Sequence, residues 1–483
     1  MNPTEEQLRI IGSRAMRLVV QAGAGAAKTT TLCMFASARP NKSILYLAFN
    51  KTVQLEAQSR MPSNVTCRTT HSIAWRVAAK LFGDAARDRV GNTYPSSVAR
   101  AFGCSPLAAV AALQTVQRWC GSPDAVMGAE HVPEELAARF QEPSGIVTLA
   151  KEVWNAMTSR AGKDIKLPHD AYLKLYQLER PALKGFECIL VDESQDLNPA
   201  TFDIVCRQRA ALTLVGDESQ AIYQFRGSMN ALAELDADER LTLTRSFRFG
   251  AGVAALANAL LGHFKEGRHS PLVGAGQSKQ TRMSIDMGKP FAVIARTNAV
   301  IFDEAVNFLS TGRRFHFVGG TEGYRFEKVL DAYYLSVGER GLVRDPYLRS
   351  FDSFDALAQL AEETEDPELK HLVRVVIDYG HRVPKLVDEI QSRHAPLEKA
   401  EWASFDGIFL STAHKAKGLE FEQVWLADDY MRFFEDGREI QPLEAVVAEV
   451  NLLYVALTRA KAAIRLNEGF AEWLNHRHLM PTG

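Results

Sequence analysis

The chain has 483 residues, enough for about three globular units at roughly 150 residues each. Hydrophobic residues make up 46% and charged residues 24%, a balance that excludes a disordered or collagen-like chain. The 56 Lys and Arg nearly cancel the 58 Asp and Glu, leaving a formal charge of −2, so any affinity for a polyanion must come from a local groove.

In chain order, the first seven residues lack a basic segment followed by an apolar core, so no secretory signal is expected. Short apolar runs ending in polar or acidic residues occur at 18–21, 44–49, 188–192 and 212–217. Each is too short for a buried helix and is bounded by turn or charged residues, which predicts core strands of a parallel sheet. A second set at 291–296, 407–412, 424–428 and 463–466 predicts a second sheet. Helical texture interrupts both sets, at 85–180 and 325–400. The uncharged stretch 101–117 is broken by Gly103, Ser105, Pro106 and Gln114 and reads as a poor membrane span. The six cysteines (Cys33, Cys67, Cys104, Cys120, Cys188 and Cys206) include no CxxC pair. Neither a zinc ribbon nor a disulfide framework is signalled, and reduced, mostly buried thiols are expected.

Three segments carry chemistry. The 18–21 strand runs into Ala22, Gly23, Ala24, Gly25, Ala26, Ala27, Lys28, Thr29 and Thr30, with a helical stretch after them. Strand, small-residue loop, Lys-Thr and helix is an arrangement whose backbone N–H groups and helix N-terminus can cradle phosphates. Lys28 would reach the β/γ-phosphates and Thr29 would hold Mg²⁺. Ala22 and Ala27 stand where the strict pattern GxxxxGK[ST] has glycine, so a strand-to-helix turn without a ligand stays open. The strand at 188–191 delivers Asp192 and Glu193 to its C-terminal end, where open α/β sheets bind ligands. Asp192 is placed for the Mg²⁺ shell and Glu193 to orient or deprotonate a water; an exposed acidic turn is the alternative. Further on, Tyr223 and Phe225, spaced i, i+2 beside Arg226, suit base stacking with a phosphate contact, against the alternative of core aromatics.

The ordered set Gln7, AGAGAAKTT (22–30), LAFNK (47–51), THS (70–72), VDESQD (191–196), GDESQAIYQFRG (216–227), SFRFG (246–250), ARTNA (295–299), STAHKAKGLEF (411–421) and YVALTRAK (454–461) resembles the motif series of superfamily 1 DNA helicases of the UvrD/Rep type. SFRFG and HKAKGLEF are most similar to the catalytic region of the F-box DNA helicases. The resemblance implies two RecA-like P-loop NTPase domains, the first at 1–84 and 181–240, the second at 241–324 and 401–483. The helical stretches 85–180 and 325–400 then become insertions. It implies ATP and Mg²⁺ as cofactors, with ATP in an inter-domain cleft, and single-stranded DNA and its junctions with duplex as the partner. Translocation would run 3′→5′.

The same resemblance implies roles residue by residue. Gln7 would read adenine, Phe247 stack on it, and Glu420 bind the ribose. Gly23 to Thr30 would hold the phosphates. Gln220 would sense the γ-phosphate, which Arg226, Arg248 and Arg459 would neutralise. Phe49, Asn50, His71, Tyr223, Phe225, Arg296 and His414 would contact DNA. A cytoplasmic location is expected, nucleoid-associated in a bacterium, with no membrane partner and with any nuclease or repair partner on a separate chain. Ala27 departs from the pattern. Its methyl is expected to crowd the β-phosphate and, because alanine is the better helix former, to stiffen the loop where it enters its helix. A hydrolysis-impaired, nucleotide-gated DNA-binding subunit and the motor of a helicase–nuclease complex are the rival readings.

Overall fold

Residues 2–48, 50–140, 143–161, 165–223, 227–265, 270–278, 281–364, 366–435, 437–441 and 446–481 are described by a computed structural model. By internal contacts the chain divides into two units, Met1–Ala22 with Lys28–Leu243, and Gly23–Ala27 with Thr244–Gly483.

The first unit is built on six parallel strands: β1 (Arg17–Ala22), β2 (Ile44–Ala48), β3 (Val65–Thr69), β4 (Cys188–Val191), β5 (Ala211–Gly216) and β6 (Glu239–Leu243). Their order is β3-β2-β4-β5-β1-β6. All residues of β2 and β4 are buried, as expected for central strands covered on both faces. Leu45, Leu47, Ile189, Val191, Leu212 and Leu214 form one side of that core. The edge strands β3 and β6 bury only alternate residues. Their alternation carries no continuous apolar run, and the apolar-run criterion misses both.

Four helices start at the C-terminal ends of these strands or lead into them. In α1 (Glu5–Gly12), Thr4 and Gln7 form a reciprocal capping box. α2 (Lys28–Ser37) follows β1. α3 (Lys51–Arg60) is capped by the Asn50 side chain, which accepts from Val53 N–H, and α4 (Thr70–Phe82) by Thr69. Between β3 and β4 the chain is helical, with long segments at Pro106–Gly121, Pro143–Thr158 and His169–Leu178. Trp119 packs edge-on against Trp154 at 4.8 Å. The buried Lys174 ammonium lies over the Trp119 ring and donates to the carbonyls of Ser122 and Asp124.

The second unit has a five-stranded parallel sheet of β7 (Phe291–Ala295), β8 (Phe315–Phe317), β9 (Ile408–Thr412), β10 (Phe421–Leu426) and β11 (Ala460–Arg465), in the order β8-β9-β7-β10-β11. The three-residue β8 was not expected from the sequence. Helices Phe326–Ser336, Phe354–Thr364, Pro367–Tyr379 and Val383–Arg393 separate β8 from β9. The fold is thus mixed α/β with two large parallel sheets, each interrupted by a mainly helical insertion. All six cysteines are free; Cys67, Cys120 and Cys188 are buried and the other three half-buried. Among the described residues no single helix is long and apolar enough to cross a membrane.

Candidate functional site

Lys28 is the first residue of α2, and Asp192 and Glu193 leave the end of β4 two strands away. The parallel register brings these strand ends to one edge of the sheet, and the side chains meet there. Lys28 Nζ lies 3.2 Å from Glu193 Oε1. Thr29 Oγ1 donates to Asp192 Oδ2 at 2.9 Å, and Glu193 N–H donates to Asp192 Oδ1 at 2.9 Å. Tyr46, from β2, donates its hydroxyl to the same Oδ2 at 2.7 Å.

Burial alone would lower the Lys28 pKa, but the charges of Glu193, Asp217 and Asp192 outweigh it and hold the ammonium above the ordinary lysine value. Burial, and then the charge of Glu193, raises the Asp192 carboxyl against the opposing pull of Lys28, Tyr46 and Thr29.

Two residues here have left-handed backbones without being glycine. Glu193 has φ 52° and Ala27 has φ 57°, conformations that cost an L-residue roughly 1–2 kcal/mol. Ala27 therefore lies outside the helix, which starts at Lys28. The expectation that it stiffens the loop as a helix former is overturned, because it adopts the turn that a glycine would supply without strain.

Glu193 is held from behind. The fully buried Gln195 donates from Nε2 to Glu193 Oε2 at 2.5 Å and accepts at Oε1 from Asp217 N–H at 3.0 Å. Gly216 permits this approach, since a methyl there would collide with the Gln195 amide. Gln220 donates to Asp217 Oδ2 at 2.7 Å, so Glu193, Gln195, Asp217 and Gln220 form one chain of contacts. Gln7 is buried with its amide oxygen in the Thr4 capping box and its Nε2 on Thr31 Oγ1 at 3.0 Å.

A pocket in the same unit is lined by Thr70, His71, Asp170, Asp192, Glu193 and Tyr223, among others. Two of the predicted DNA contacts thus share a recess with the two carboxylates. His71 Nε2 lies 3.3 Å from Asp170 Oδ1. His71 also lines a second recess, together with Asn50, Trp75, His169 and Tyr172. Phe49, Phe225 and Arg226 lie outside the described residues.

In the second unit, Arg248 donates from Nε to Glu420 Oε2 at 3.1 Å and from Nη1 to the Thr458 carbonyl at 3.2 Å. Arg459 is fully buried and donates to the carbonyls of Val455 and Leu419 and to Thr458 Oγ1. Gly23 to Ala27 belong to this unit by their contacts; Gly25 accepts from Phe247 N–H at 2.9 Å. Arg245 lies over the half-buried Phe247 ring. His414 sits in the short helix Ala413–Ala416 after β9. Arg296 is engaged by a two-pronged ion pair to Glu449, both bonds 2.6 Å.

Tyr46 and Gln195 were missed by sequence reasoning. The only signal for Tyr46 is a hydroxyl in an otherwise aliphatic strand, ILYLA, and for Gln195 its place two residues after Glu193.

Oxygen donors from Thr29 and Asp192 next to the Lys28 ammonium fit Mg²⁺, which takes one or two protein oxygens and completes its shell with phosphates and water. Among the described residues there is no cluster of three or more His, Cys, Asp or Glu suited to an all-protein metal site.

Comparison with known proteins bears on the same segments. Residues 348–467 match the UvrD-like helicase C-terminal domain and residues 164–238 the UvrD/REP helicase N-terminal domain. The chain is 32% identical to F-box DNA helicase 1 of Gallus gallus, over 98% of this chain and 49% of that protein. It is 31% identical to F-box DNA helicase protein 1 of Schizosaccharomyces pombe, over 93% and 55% respectively. With ATP-dependent DNA helicase UvrD2 of Mycobacterium tuberculosis it shares 26% identity, over 58% and 47%. The chain spans about half the length of these relatives.

Proposed function

Since the chain belongs to the UvrD-like helicase family, we propose that it is an ATP-dependent DNA helicase that translocates 3′→5′ on single-stranded DNA. The observation that carries this reading is the cluster of Lys28, Thr29, Asp192 and Glu193 at one edge of the first sheet. A cation at a helix start, a hydroxyl and two carboxylates are the parts that phosphoryl transfer to water requires.

Lys28 would neutralise the β/γ-phosphates, and Thr29 with Asp192 would hold Mg²⁺. The ion, when bound, draws negative charge from the phosphate oxygens. Glu193, steadied by Gln195, orients the attacking water and takes its proton. Gln220 senses the γ-phosphate. Gln7 selects the nucleoside. Support for DNA coupling comes from the pocket that His71 and Tyr223 share with Asp192 and Glu193: a strand held by the first pair lies beside the second.

The test is ATP hydrolysis by the purified chain with and without single-stranded DNA, followed by strand displacement from duplexes bearing a 3′ or a 5′ tail. Turnover stimulated by DNA and displacement only from the 3′ tail are expected. DNA binding without turnover favours the nucleotide-gated subunit instead, and displacement from the 5′ tail reverses the assigned polarity.

A further inference from the structure

We infer that Tyr46 is a positioning residue that holds the Asp192 carboxylate for Mg²⁺ and so sets the metal requirement for nucleotide binding. The inference rests on the proposed nucleotide site and adds to it a residue from a strand that carries none of the phosphate-binding motif.

Tyr46 is the central residue of β2 and is fully buried. Its neighbours Leu45 and Leu47 point into the aliphatic core on the other face of the sheet. β2 pairs with β4 so that Tyr46 lies beside Leu190 and Leu47 beside Val191, which places the ring two residues short of Asp192 and on the same face. A phenylalanine would fill the same volume. What the hydroxyl adds is a bond to Asp192 Oδ2 at 2.7 Å, beside a contact with the Thr29 hydroxyl, and a buried hydroxyl without a partner would be costly.

That oxygen also accepts from Thr29 Oγ1, while Oδ1 accepts from the Glu193 amide. The carboxylate is thus fixed by three donors from three segments: β2, the start of α2 and its own following residue. An ionised carboxylate offers about four acceptor positions, so one remains for a metal or its water. The Thr29 hydroxyl is the group that would turn to the metal. Tyr46 cannot follow, because its ring is locked in the sheet, so its bond persists and keeps Oδ2 in place. Groups that orient metal-binding carboxylates in this way typically contribute about 10- to 100-fold to metal affinity.

The experiment is binding of a fluorescent, non-hydrolysable ATP analogue to the full chain, titrated with Mg²⁺ and repeated in EDTA, for wild type and Tyr46→Phe. The expected result is a rise of about 10-fold or more in the Mg²⁺ concentration at half-saturation, with analogue affinity in EDTA and the melting temperature close to wild type. Tyr46→Phe in an Asp192→Asn background should then shift nothing further. A Mg²⁺ dependence equal to wild type overturns the assignment and returns Tyr46 to a packing role. If Tyr46→Phe fails to fold, Tyr46→His, whose ring N–H can still donate, replaces it: recovered folding with near-wild-type Mg²⁺ dependence supports the assignment, and a dependence shifted as far as that of Asp192→Asn overturns it. A wild-type chain that binds no analogue at all overturns the nucleotide site itself.

Discussion

Lys28 Nζ and Glu193 Oε1 lie 3.2 Å apart, with the lysine side chain 10% and the glutamate 24% exposed. The two groups assigned to the phosphates and to the water are therefore partners of each other, and an incoming triphosphate must compete with Glu193 for the ammonium. Glu193→Gln removes that competitor as well as the base. ATP affinity is expected to rise roughly three- to tenfold, matching an ion pair worth about 1 kcal/mol, while turnover falls by about 100-fold or more. Equilibrium ATP binding and single-turnover hydrolysis check both arms; a variant with weaker ATP binding would mean that Glu193 assists nucleotide capture.

Ala27 carries a φ of 57°, so Ala27→Gly relieves a left-handed strain of roughly 1–2 kcal/mol and adds about 0.5–1 kcal/mol of unfolded-state entropy. The expected net change is a gain of up to about 1.5 kcal/mol in unfolding free energy, the reverse of what helix propensity alone suggests. Ala27→Val, with a β-branched side chain in the same conformation, should be clearly destabilised. Urea denaturation of the three proteins measures the ranking Gly, Ala, Val, and a Gly variant below wild type contradicts the strain argument.

Gln195 links Glu193 Oε2 to the Asp217 amide from a fully buried position. Gln195→Met keeps the volume but leaves that amide unsatisfied and Glu193 unanchored, at a stability cost of about 1–3 kcal/mol. ATP hydrolysis should show a fall in kcat with little change in KM, because Gln195 orients a group that acts on water rather than on the nucleotide. A rise in KM at constant kcat would place its influence on binding instead.

His371, in the helix Pro367–Tyr379, is buried, and neither ring nitrogen finds a hydrogen-bond partner among the described residues. Burial, reinforced by the nearby Arg374 charge, lowers its pKa to about 4. The folded state then holds the ring neutral where the unfolded chain would protonate it. Stability from this group is intact above its ordinary pKa of about 6.5 and declines as the pH falls from there towards 4. Between pH 7 and pH 5 the loss is about 2 kcal/mol. His371→Phe should lose correspondingly less over that interval in paired thermal melts, and equal losses would show that His371 is not the group responsible.

By itself the sequence determined what local chemistry dictates. Central strands covered on both faces must be apolar throughout, so β2, β4, β5, β7 and β9 stood out as runs. A small-residue loop before Lys28 and an acid pair after a strand marked the residues proposed for the phosphate site. Three of the four edge strands of the two large sheets escaped, β3 and β6 because half their residues face water and β8 because three residues suffice, whereas the fourth, β11, carried a run at 463–466.

Only the tertiary structure decided which groups meet. Tyr46 lies 146 residues from Asp192 in sequence, and their hydrogen bond exists because β2 pairs with β4 in one register; a one-residue slip would turn the ring to the other face. Arg296, legible as a cation in a DNA-contact motif, is held by Glu449 across 153 residues. Ala27 reads in sequence as a helix-favouring methyl, yet the way the chain leaves β1 and enters α2 imposes a left-handed turn on it. Local pattern specifies strands and loops, whereas long-range pairing specifies the partners, and the geometry of this site rests on partners.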